Sequence, residues 1–167
     1  MFSRSGAIYR QINEFYRKDF ELLITSGLYK ELVSLGLLVS HEEVSLKEYA
    51  QSDDAWKVIR PAQIPFISYP YEWCFSMLKD AALLTLRIQK IALEHNMSLK
   101  DASAFNIQFL EGRPVLIDTL SFERYDEGKP WVAYKQFVEH FLAPLYVMSM
   151  NDIRLSRMTS VFLDGIP

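Results

Sequence analysis

The 167-residue chain is 50% hydrophobic and 14% aromatic, so we expect a globular fold, and its net charge of −3 suggests neither a nucleic-acid partner nor an anionic membrane surface. The single cysteine, Cys74, excludes an internal disulfide and a cysteine-based zinc cluster. Since no signal-peptide core is present and no apolar run approaches the roughly 20 residues that span a bilayer, we expect a cytoplasmic protein with no membrane partner.

The chain opens with a predicted strand followed by a helix. Gly6–Ile12 alternates between apolar and polar residues, as a short strand does. Charged and apolar residues then mix at helical spacing, which predicts a helix with four apolar side chains on its packed face: Phe15, Phe20, Leu23 and Ile24.

The next segment predicts a second helix, a short strand and a loop. The helix covers Leu28–Leu35 and ends at Gly36, a residue type that commonly stops helices. Leu37–Val39 predicts a strand. The polar, acidic stretch His41–Asp54 predicts a loop with one turn of helix over Leu46–Ala50.

Two extended segments and the longest helix follow. Trp56–Arg60 and Phe66–Tyr69 predict strands, joined by a connection that contains prolines. Within Ser76–His95 the apolar residues recur every three or four positions, and no glycine or proline intervenes. This segment therefore predicts a long helix.

A hairpin and more helix complete the chain. Phe105–Leu110 and Val115–Ile117 predict short apolar strands, and Glu111–Pro114 between them is a turn signal. Trp131–Met150 predicts a helix with a kink or break at Pro144. A small mixed region, a long helix, a hairpin and further helix together predict an α+β domain.

Three polar residues surround the predicted hairpin. Asp101 precedes its first strand, Asn106 enters that strand five positions later, and Asp118 ends the second strand. Pairing of the strands would return Asp118 close to Asn106. Since carboxylate and amide oxygens bind hard cations, the pattern predicts a magnesium site there. The structural alternative is that Asp101 caps a turn and Asn106 satisfies a bend, with no metal nearby.

This Asp-x-x-x-x-Asn segment and the apolar strand that ends in Asp resemble the catalytic loop and metal-binding strand of the protein-kinase-like superfamily, including small-molecule kinases of the aminoglycoside phosphotransferase type. The resemblance implies ATP and Mg²⁺ as ligands. By it, Asp101 matches the base that receives the hydroxyl proton of an unidentified acceptor, and Asn106 and Asp118 match the magnesium ligands.

The same resemblance, clearest over residues 66–118, implies a two-lobed fold. A reduced N-terminal lobe would cover residues 1–75, and a mostly helical C-terminal lobe with the site would cover residues 76–167. The long helix would be the one that precedes the catalytic loop.

The resemblance also implies residues for nucleotide binding. Arg10 stands in the strand where the family places the lysine that holds the α- and β-phosphates, and Lys57 is the competing choice. Ser68–Trp73 would face adenine, with Tyr69 and Tyr71 stacking on it. Alternating aromatic residues are equally compatible with packing in a strand.

Several positions depart from the family pattern. Leu99 stands in place of the usual histidine, and Thr119–Leu120 replaces the usual Phe-Gly. The glycine-rich motif is absent, and Ser5–Gly6 is the only candidate remnant of a phosphate-covering turn. These departures leave open a phosphate-transferring kinase, a non-catalytic accessory module of the same shape, and an interaction domain whose carboxylates are structural.

A narrower resemblance rests on Ser98–Asn106 and Phe141–Leu145. These segments resemble the N-terminal region of bacterial proteins described as nodulation-related or S-adenosylmethionine-dependent methyltransferases, in which a methyltransferase domain follows. The chain has no Gly-rich strand-turn-helix for S-adenosylmethionine, so methyl transfer would lie in a further domain. Because the closing residues, Asp164–Pro167, have turn chemistry that normally leads into another element, we expect a longer polypeptide.

Overall fold

The computed structural model describes every residue from Met1 to Pro167 and contains both strands and helices. The strands are β1 Phe2–Arg4, β2 Ala7–Asn13, β3 His41–Val44, β4 Ala55–Pro61, β5 Met97–Leu99, β6 Ile107–Leu110, β7 Arg113–Leu116 and β8 Phe122–Arg124. The α-helices are α1 Arg17–Thr25, α2 Leu28–Ser34, α3 Leu46–Tyr49, α4 Phe75–Glu94, α5 Tyr134–Phe137 and α6 Ala143–Met150. Short 3₁₀ segments cover Glu14–Tyr16, Pro70–Glu72, Ala104–Asn106 and Ile153–Ser160, and Val138–Leu142 is π-helical.

The N-terminal strands form one antiparallel sheet in the order β1-β2-β4-β3. A two-residue turn joins β1 to β2, and both of its residues, Ser5 and Gly6, have positive φ (51° and 78°). Such a turn matches the right-handed twist of the paired strands. The outer face of the sheet is covered by α3, where the Tyr49 ring stacks on Tyr9 with 4.7 Å between ring centroids.

The inner face of the sheet carries a small apolar cluster. Its members are fully or nearly fully buried: Ile12, Tyr16, Phe20 and Ile59. Leu120, which lies just after Asp118, packs against this cluster. The cluster therefore connects the sheet to the segment that follows the β6–β7 hairpin.

The larger core surrounds α4. This helix is buried along one side by apolar residues three or four positions apart, including Leu78, Ala81, Leu84, Ile88 and Ala92. Each fully buried Leu or Ile side chain stabilises the fold by about 1.5–3 kcal/mol. The core extends to β5, β7, β8 and the C-terminal helices. No helix combines the length and apolar character needed to cross a bilayer.

Most predicted elements are confirmed. The helices α2 and α4, strands β2 and β4, and the β6–β7 hairpin lie where their patterns place them. The two three-residue strands β5 and β8, which pair with each other, are too short to give a periodic signal and were not predicted. The structure is thus a mixture of helices and separate antiparallel sheets, compatible with the predicted α+β class.

Two segments differ from their predicted structure, one predicted as a loop and the other as a strand. The His41–Val44 part of the predicted loop is strand β3, which pairs with β4 at the sheet edge, where the polar residues Glu42 and Glu43 are tolerated. Phe66–Tyr69 is not a strand. The Ser68 backbone N–H and carbonyl bond to the side chain of Gln108, at 2.9 Å each, instead of to a neighbouring strand.

Two further predictions need correction. Phe15 lies in the 3₁₀ turn ahead of α1 and is 84% exposed, and Ile24 is 41% exposed, so only Phe20 and Leu23 pack. Leu37–Val39 is not a strand. It contributes one parallel bridge, between Leu38 and Leu116, because the chain passes the edge of β7 for only this length.

The C-terminal helical region contains a π-helical stretch just before Pro144. In this stretch the N–H of Ala143 donates to the carbonyl of Val138, five residues back. In the same five-residue register the carbonyl of Glu139 would accept a hydrogen bond from the N–H of residue 144, but that residue is a proline and has no N–H. The N–H of Ile166 donates to that carbonyl instead, at 2.9 Å. The expected kink or break at Pro144 takes the form of this π-helical change of register, after which the helix continues, and it leaves an acceptor that holds the C-terminal tail.

We expect Gly165→Ala to detach this tail. Gly165 has a φ of +102°, and an added Cβ would lie 2.6 Å from the Cβ of Glu139 and 3.0 Å from its carbonyl carbon. The cost should be about 1–3 kcal/mol, measured as a lower free energy of unfolding in urea and as faster hydrogen exchange at Ile166. Gly128→Ala is the matched control, since its φ is +83° but nothing lies within 4 Å. Equal losses in the two variants would contradict this account.

His95 connects the end of α4 to the α1–α2 junction. Its Nδ1 lies 2.8 Å from the Ser26 carbonyl oxygen, and its Nε2 lies 2.8 Å from a carboxylate oxygen of Glu31. The bond to Glu31 raises the pKa of His95, and the Ser26 carbonyl raises it further. Both contacts favour the doubly protonated ring.

Stability should therefore depend on the charge of His95. Its contribution is fully present below the usual histidine pKa of 6.5 and is lost as the pH rises through the higher pKa of the folded state. We expect the free energy of unfolding to decrease across that window, and His95→Gln to flatten this part of the profile. Glu31→Gln should flatten it in part, because the contact of His95 with the Ser26 carbonyl remains. An unchanged slope in both variants would exclude this ion pair as its source.

Candidate functional site

The end of the β6–β7 hairpin brings together the candidate metal ligands. The Ile117 N–H donates to the carbonyl of Asn106 at 2.8 Å, one step beyond the Ile107–Leu116 strand pair. Asp118 thus follows the residue opposite Asn106. The Asn106 side-chain amide donates to the hydroxyl of Ser121 at 3.4 Å, and Ser121 closes a turn on the Asp118 carbonyl. Both candidate ligands are half-buried beside this turn.

Arg10 and Asp118 form the ion pair that joins the N-terminal sheet to this hairpin. The guanidinium Nη1 donates to Oδ1 of Asp118 at 2.8 Å, and the two side chains are only 15% and 16% exposed. The same Oδ1 accepts the N–H of Leu120 at 2.9 Å. Nη2 lies 3.5 Å from the Ile117 carbonyl, and the buried Nε has no partner.

Asp101 lies in a loop whose backbone is fixed on both sides. The Leu99 N–H donates to Gln89 at 2.7 Å, and the Leu99 carbonyl accepts the indole N–H of Trp131 at 2.6 Å. After Asp101, the Ala102 N–H donates to Gln136 at 2.6 Å. Helices α4 and α5 therefore hold this loop in place.

The carboxylate of Asp101 is only partly engaged. Its Oδ1 accepts the N–H of Ser103 at 3.0 Å, as in an Asx turn, while Oδ2 has no protein hydrogen bond. His140 is a charged neighbour only in its protonated form. Burial lowers the pKa of His140, against the raising effect of the Asp101 charge. The neutral imidazole packs edge-on against Phe105.

The loop containing Asp101 and the turn after Asp118 meet at one buried serine. The Ser121 carbonyl accepts the Lys100 N–H at 2.9 Å, and its side chain contacts Asn106 as described above. Ser121 is 1% exposed. The three predicted polar residues are therefore held around a common residue that the sequence analysis did not select.

The donor atoms fit a magnesium ion that takes part of its coordination from a ligand. Oδ2 of Asp118 and Oδ1 of Asn106 have no protein hydrogen bond, and neither atom is fully buried. No group of three or more His, Cys, Asp or Glu side chains is arranged to hold a metal. Magnesium is commonly held by one or two protein oxygens plus substrate phosphates, and the residues present fit that mode.

A cleft of 460 Å³ lies between the sheet and the hairpin. Arg10 and Ile117 line it, and Ile8, Val39 and Tyr69 are among the residues along its walls. Asp101, Asn106 and Asp118 do not line this cleft, and Asp118 adjoins it through its contact with Arg10. This volume and the largely apolar lining are typical of small-molecule sites. A second cavity, of 490 Å³, lies beside Tyr16, Lys100 and Leu120. Only the 460 Å³ cleft contains Arg10.

The segment after β4 forms one wall of the cleft. Pro61, Ala62, Gln63 and Ile64 all line it. The backbone N–H groups of Gln63 and Ile64 make no hydrogen bond to the protein. The predicted adenine-facing segment began later, at Ser68, and missed these residues. The only sequence signal for an irregular segment here is the pair of prolines, Pro61 and Pro65, since proline disfavours a regular strand.

Two predicted nucleotide residues lie elsewhere. Lys57 pairs with Glu43 at 2.6 Å and lies over the Trp56 ring, instead of contacting Asp118. Tyr71 stacks on Tyr69, with 5.3 Å between ring centroids, but does not line the cleft. Of the predicted phosphate and adenine contacts, Arg10 and Tyr69 are the two that face the cleft.

The departures from the family pattern have structural counterparts. The Ser5–Gly6 turn is a tight hairpin connection, and Gly6 lines the cleft. Thr119 is fully buried and its hydroxyl has no partner. The Leu120 N–H donates to Asp118, and the Leu120 side chain packs against the small apolar cluster of the sheet. The segment after Asp118 is thus anchored to the protein.

Comparison with known proteins gives one informative match. No family model matches the chain. The chain is 41% identical over 149 residues to the nodulation protein NoeA of Rhizobium meliloti strain 1021. The match covers 88% of this chain but 31% of NoeA, so the chain spans less than a third of that relative's length.

We expect the Arg10–Asp118 pair to couple the stability of the sheet and hairpin. Arg10→Met leaves the Asp118 carboxylate half-buried without its cation, and the loss should be about 1–3 kcal/mol. The double variant Arg10→Met/Asp118→Asn should lose less than the sum of the two single variants. Urea unfolding of all four proteins measures this coupling.

Lys57→Met is the control for loss of a lysine or arginine charge. Its partner Glu43 is 54% exposed, so this change should cost less than about 1 kcal/mol. Additive losses at Arg10 and Asp118 would show that their contact contributes nothing to stability.

Proposed function

We propose that this domain binds a magnesium–nucleotide complex in the 460 Å³ cleft and transfers phosphate from it to a hydroxyl acceptor. The observation that carries the proposal is the contact between Asp118 and Arg10, which lines this cleft. It brings a phosphate-binding cation and a magnesium-ligand carboxylate together from positions 108 residues apart. In protein kinases a strand cation and the acidic residue after a later strand act at the same phosphates.

The order of the functional groups along the chain supports the proposal. A strand cation, a long helix, an Asp-containing loop, an Asn five residues later and a strand that ends in Asp follow one another as in the kinase pattern. The loop and the hairpin are also joined through Ser121. These likenesses favour a kinase-like arrangement over unrelated turn-forming carboxylates.

Each residue has a distinct role in the proposed reaction. Asp118 and Asn106 each offer the cation an oxygen that has no protein hydrogen bond, and magnesium bound there would neutralise charge on the phosphates. Asp101 orients the acceptor hydroxyl and accepts its proton through the unbonded Oδ2. Arg10 holds a phosphate through the guanidinium N–H groups that Asp118 leaves free.

The apolar part of the cleft suits a nucleotide base. Ile8 and Val39 provide walls against which a planar ring can pack, and Tyr69 offers an aromatic face at the cleft. The free N–H groups of Gln63 and Ile64 can donate to ring nitrogens. These contacts distinguish a nucleotide from a bare polyphosphate.

A second candidate is a nucleotide-binding accessory module without turnover. The two-residue turn at Ser5–Gly6 is too short to cover phosphates in the manner of a glycine-rich loop, and arginine stands in place of lysine. The relative NoeA is a much longer protein, with a name that refers to nodulation. We therefore retain the alternative that this domain serves a methyltransferase domain of the same polypeptide.

ATP with magnesium should raise the thermal unfolding temperature of the wild-type protein. At 100 times the dissociation constant the ligand stabilises the native state by about 2.7 kcal/mol, or about 5–10 °C for a domain of this size. Asp118→Asn should abolish the magnesium-dependent part of the shift, because it removes a cation ligand. Lys57→Met should keep the whole shift. A wild-type protein that shows no shift at saturating nucleotide would refute nucleotide binding.

Asp101→Asn separates the two candidates. In a kinase this variant should keep the magnesium-dependent thermal shift. Its slow hydrolysis of ATP, in which water accepts the phosphate, should be at least about 100-fold slower than that of the wild type. Phosphate release is measured with purified wild type and variant side by side. A wild type that shows the shift but no phosphate release above buffer would favour the accessory module.

A further inference from the structure

The long helix α4 has an exposed apolar stripe opposite its buried side. Leu83, Leu86 and Leu93 are 57%, 42% and 41% exposed and lie on one side of the helix, since their spacings of three and seven residues match helical periodicity. The stripe extends over ten residues, or about 15 Å. Three exposed leucines in one line are unusual for a face that contacts only water.

Cations without partners flank this stripe. Lys79, Arg87 and Lys90 are exposed on α4, and Arg113 is exposed at the start of β7. None of these four forms a salt bridge or a side-chain hydrogen bond. The exposed acidic residues of α4 are Asp80 and Glu94, so these four positive charges stand against two negative ones, a balance opposite in sign to the net charge of −3 of the chain.

A groove continues the stripe toward the N-terminal part of the molecule. It encloses 310 Å³ between the end of α2, α4 and the β6–β7 turn. Its apolar lining includes Leu35, Leu37, Leu83 and Leu84, and Asp80, Arg87 and Arg113 are its charged lining residues. Two guanidinium groups at one apolar recess suit a carboxylate beside an apolar side chain.

We infer that this surface, the α4 docking face (Lys79, Leu83, Leu86, Arg87, Lys90, Leu93 and Arg113), binds an acidic amphipathic helix of a partner protein. The leucines meet the apolar stripe of the partner helix, and its flanking Asp or Glu side chains meet the four cations. An apolar residue of the partner enters the groove, and a neighbouring carboxylate bonds to Arg87 and Arg113. Helix-in-groove recognition uses apolar anchors at these spacings.

Charge favours this occupant over a second copy of the chain. Two copies would bring like charges together at the centre of the contact, at Arg87 and Lys90. A single helix with opposite charge avoids this repulsion and needs only one helix face for docking.

A membrane surface is a poorer match. The leucines are partly sunk among neighbouring side chains, and Arg87 and Arg113 line a recess that a flat bilayer does not enter. The recess therefore favours a shaped protein ligand over a flat bilayer.

The docking face is independent of the proposed nucleotide site. It uses none of the candidate phosphate, metal or base residues, so a failure of nucleotide binding leaves this inference untouched. The test uses a fluorescein-labelled 18-residue helical peptide with leucine at helical spacing flanked by glutamate. The matched control peptide has lysine at every glutamate position. Binding is measured by fluorescence anisotropy at low salt and in 0.5 M NaCl.

The wild-type protein should bind the acidic peptide at least tenfold more tightly than the basic peptide, and salt should weaken this binding. Arg87→Glu/Arg113→Glu should reverse the preference between the two peptides. Leu86→Ser should weaken binding of the acidic peptide at least fivefold. Leu163→Ser, at a leucine that is 49% exposed outside this face, should leave it unchanged. Thermal unfolding confirms that each variant is folded.

Three results would overturn the inference. The first is equal binding of both peptides, or acidic-peptide binding that survives the charge reversal. The second is concentration-dependent dimerisation in sedimentation that Leu86→Ser removes, which would assign the face to a second copy. The third is binding to vesicles of 30% phosphatidylserine that is lost in Arg87→Glu/Arg113→Glu while neither peptide binds, which would assign the face to a membrane.

Discussion

The contact between Arg10 and Asp118 is the constraint on which the candidate site depends. It connects strand β2 to the end of strand β7 across 108 residues of sequence, and both side chains are largely shielded from water. Close by, the Tyr16 hydroxyl donates to the Phe122 carbonyl at 2.5 Å. Burial raises the pKa of Tyr16 well above its usual range, as do the charges of Asp19 and Asp118, so this hydroxyl remains a donor. Together the two contacts hold the N-terminal sheet and the 3₁₀ turn after β2 against the hairpin and β8.

The same ion pair influences what the cleft can bind. A half-buried carboxylate requires a nearby cation or donors, and Asp118 receives both through one oxygen. The other oxygen remains open, as does the side-chain oxygen of Asn106. The arrangement therefore stabilises the protein without a ligand and still presents two oxygens to a cation. Substitution of Arg10 or Asp118 should therefore affect both the stability of the protein and the proposed cation binding.

Helix α4 has two roles on opposite sides. Its buried side forms the centre of the core, and Gln89 on that side fixes the strand that leads to Asp101. Its exposed side carries leucines and unpaired cations that the core does not need. A mutation on the buried side would therefore disturb both the fold and the loop of the site. Changes on the exposed side can alter partner binding while the core stays intact, which makes the two roles separable.

The sequence by itself determined the local elements and the residue types of the candidate site. Helical spacing located α4, turn residues located the β6–β7 hairpin, and residue types selected Asp101, Asn106 and Asp118, because these signals are local. The tertiary structure alone decided the partners. Pairing with β4 made a strand of the polar segment His41–Val44, and the long-range contact with Asp118 placed Arg10 rather than Lys57 in the cleft. Ser121 acquired its central position in the same way. Such choices depend on contacts between residues distant in sequence, which no local pattern records.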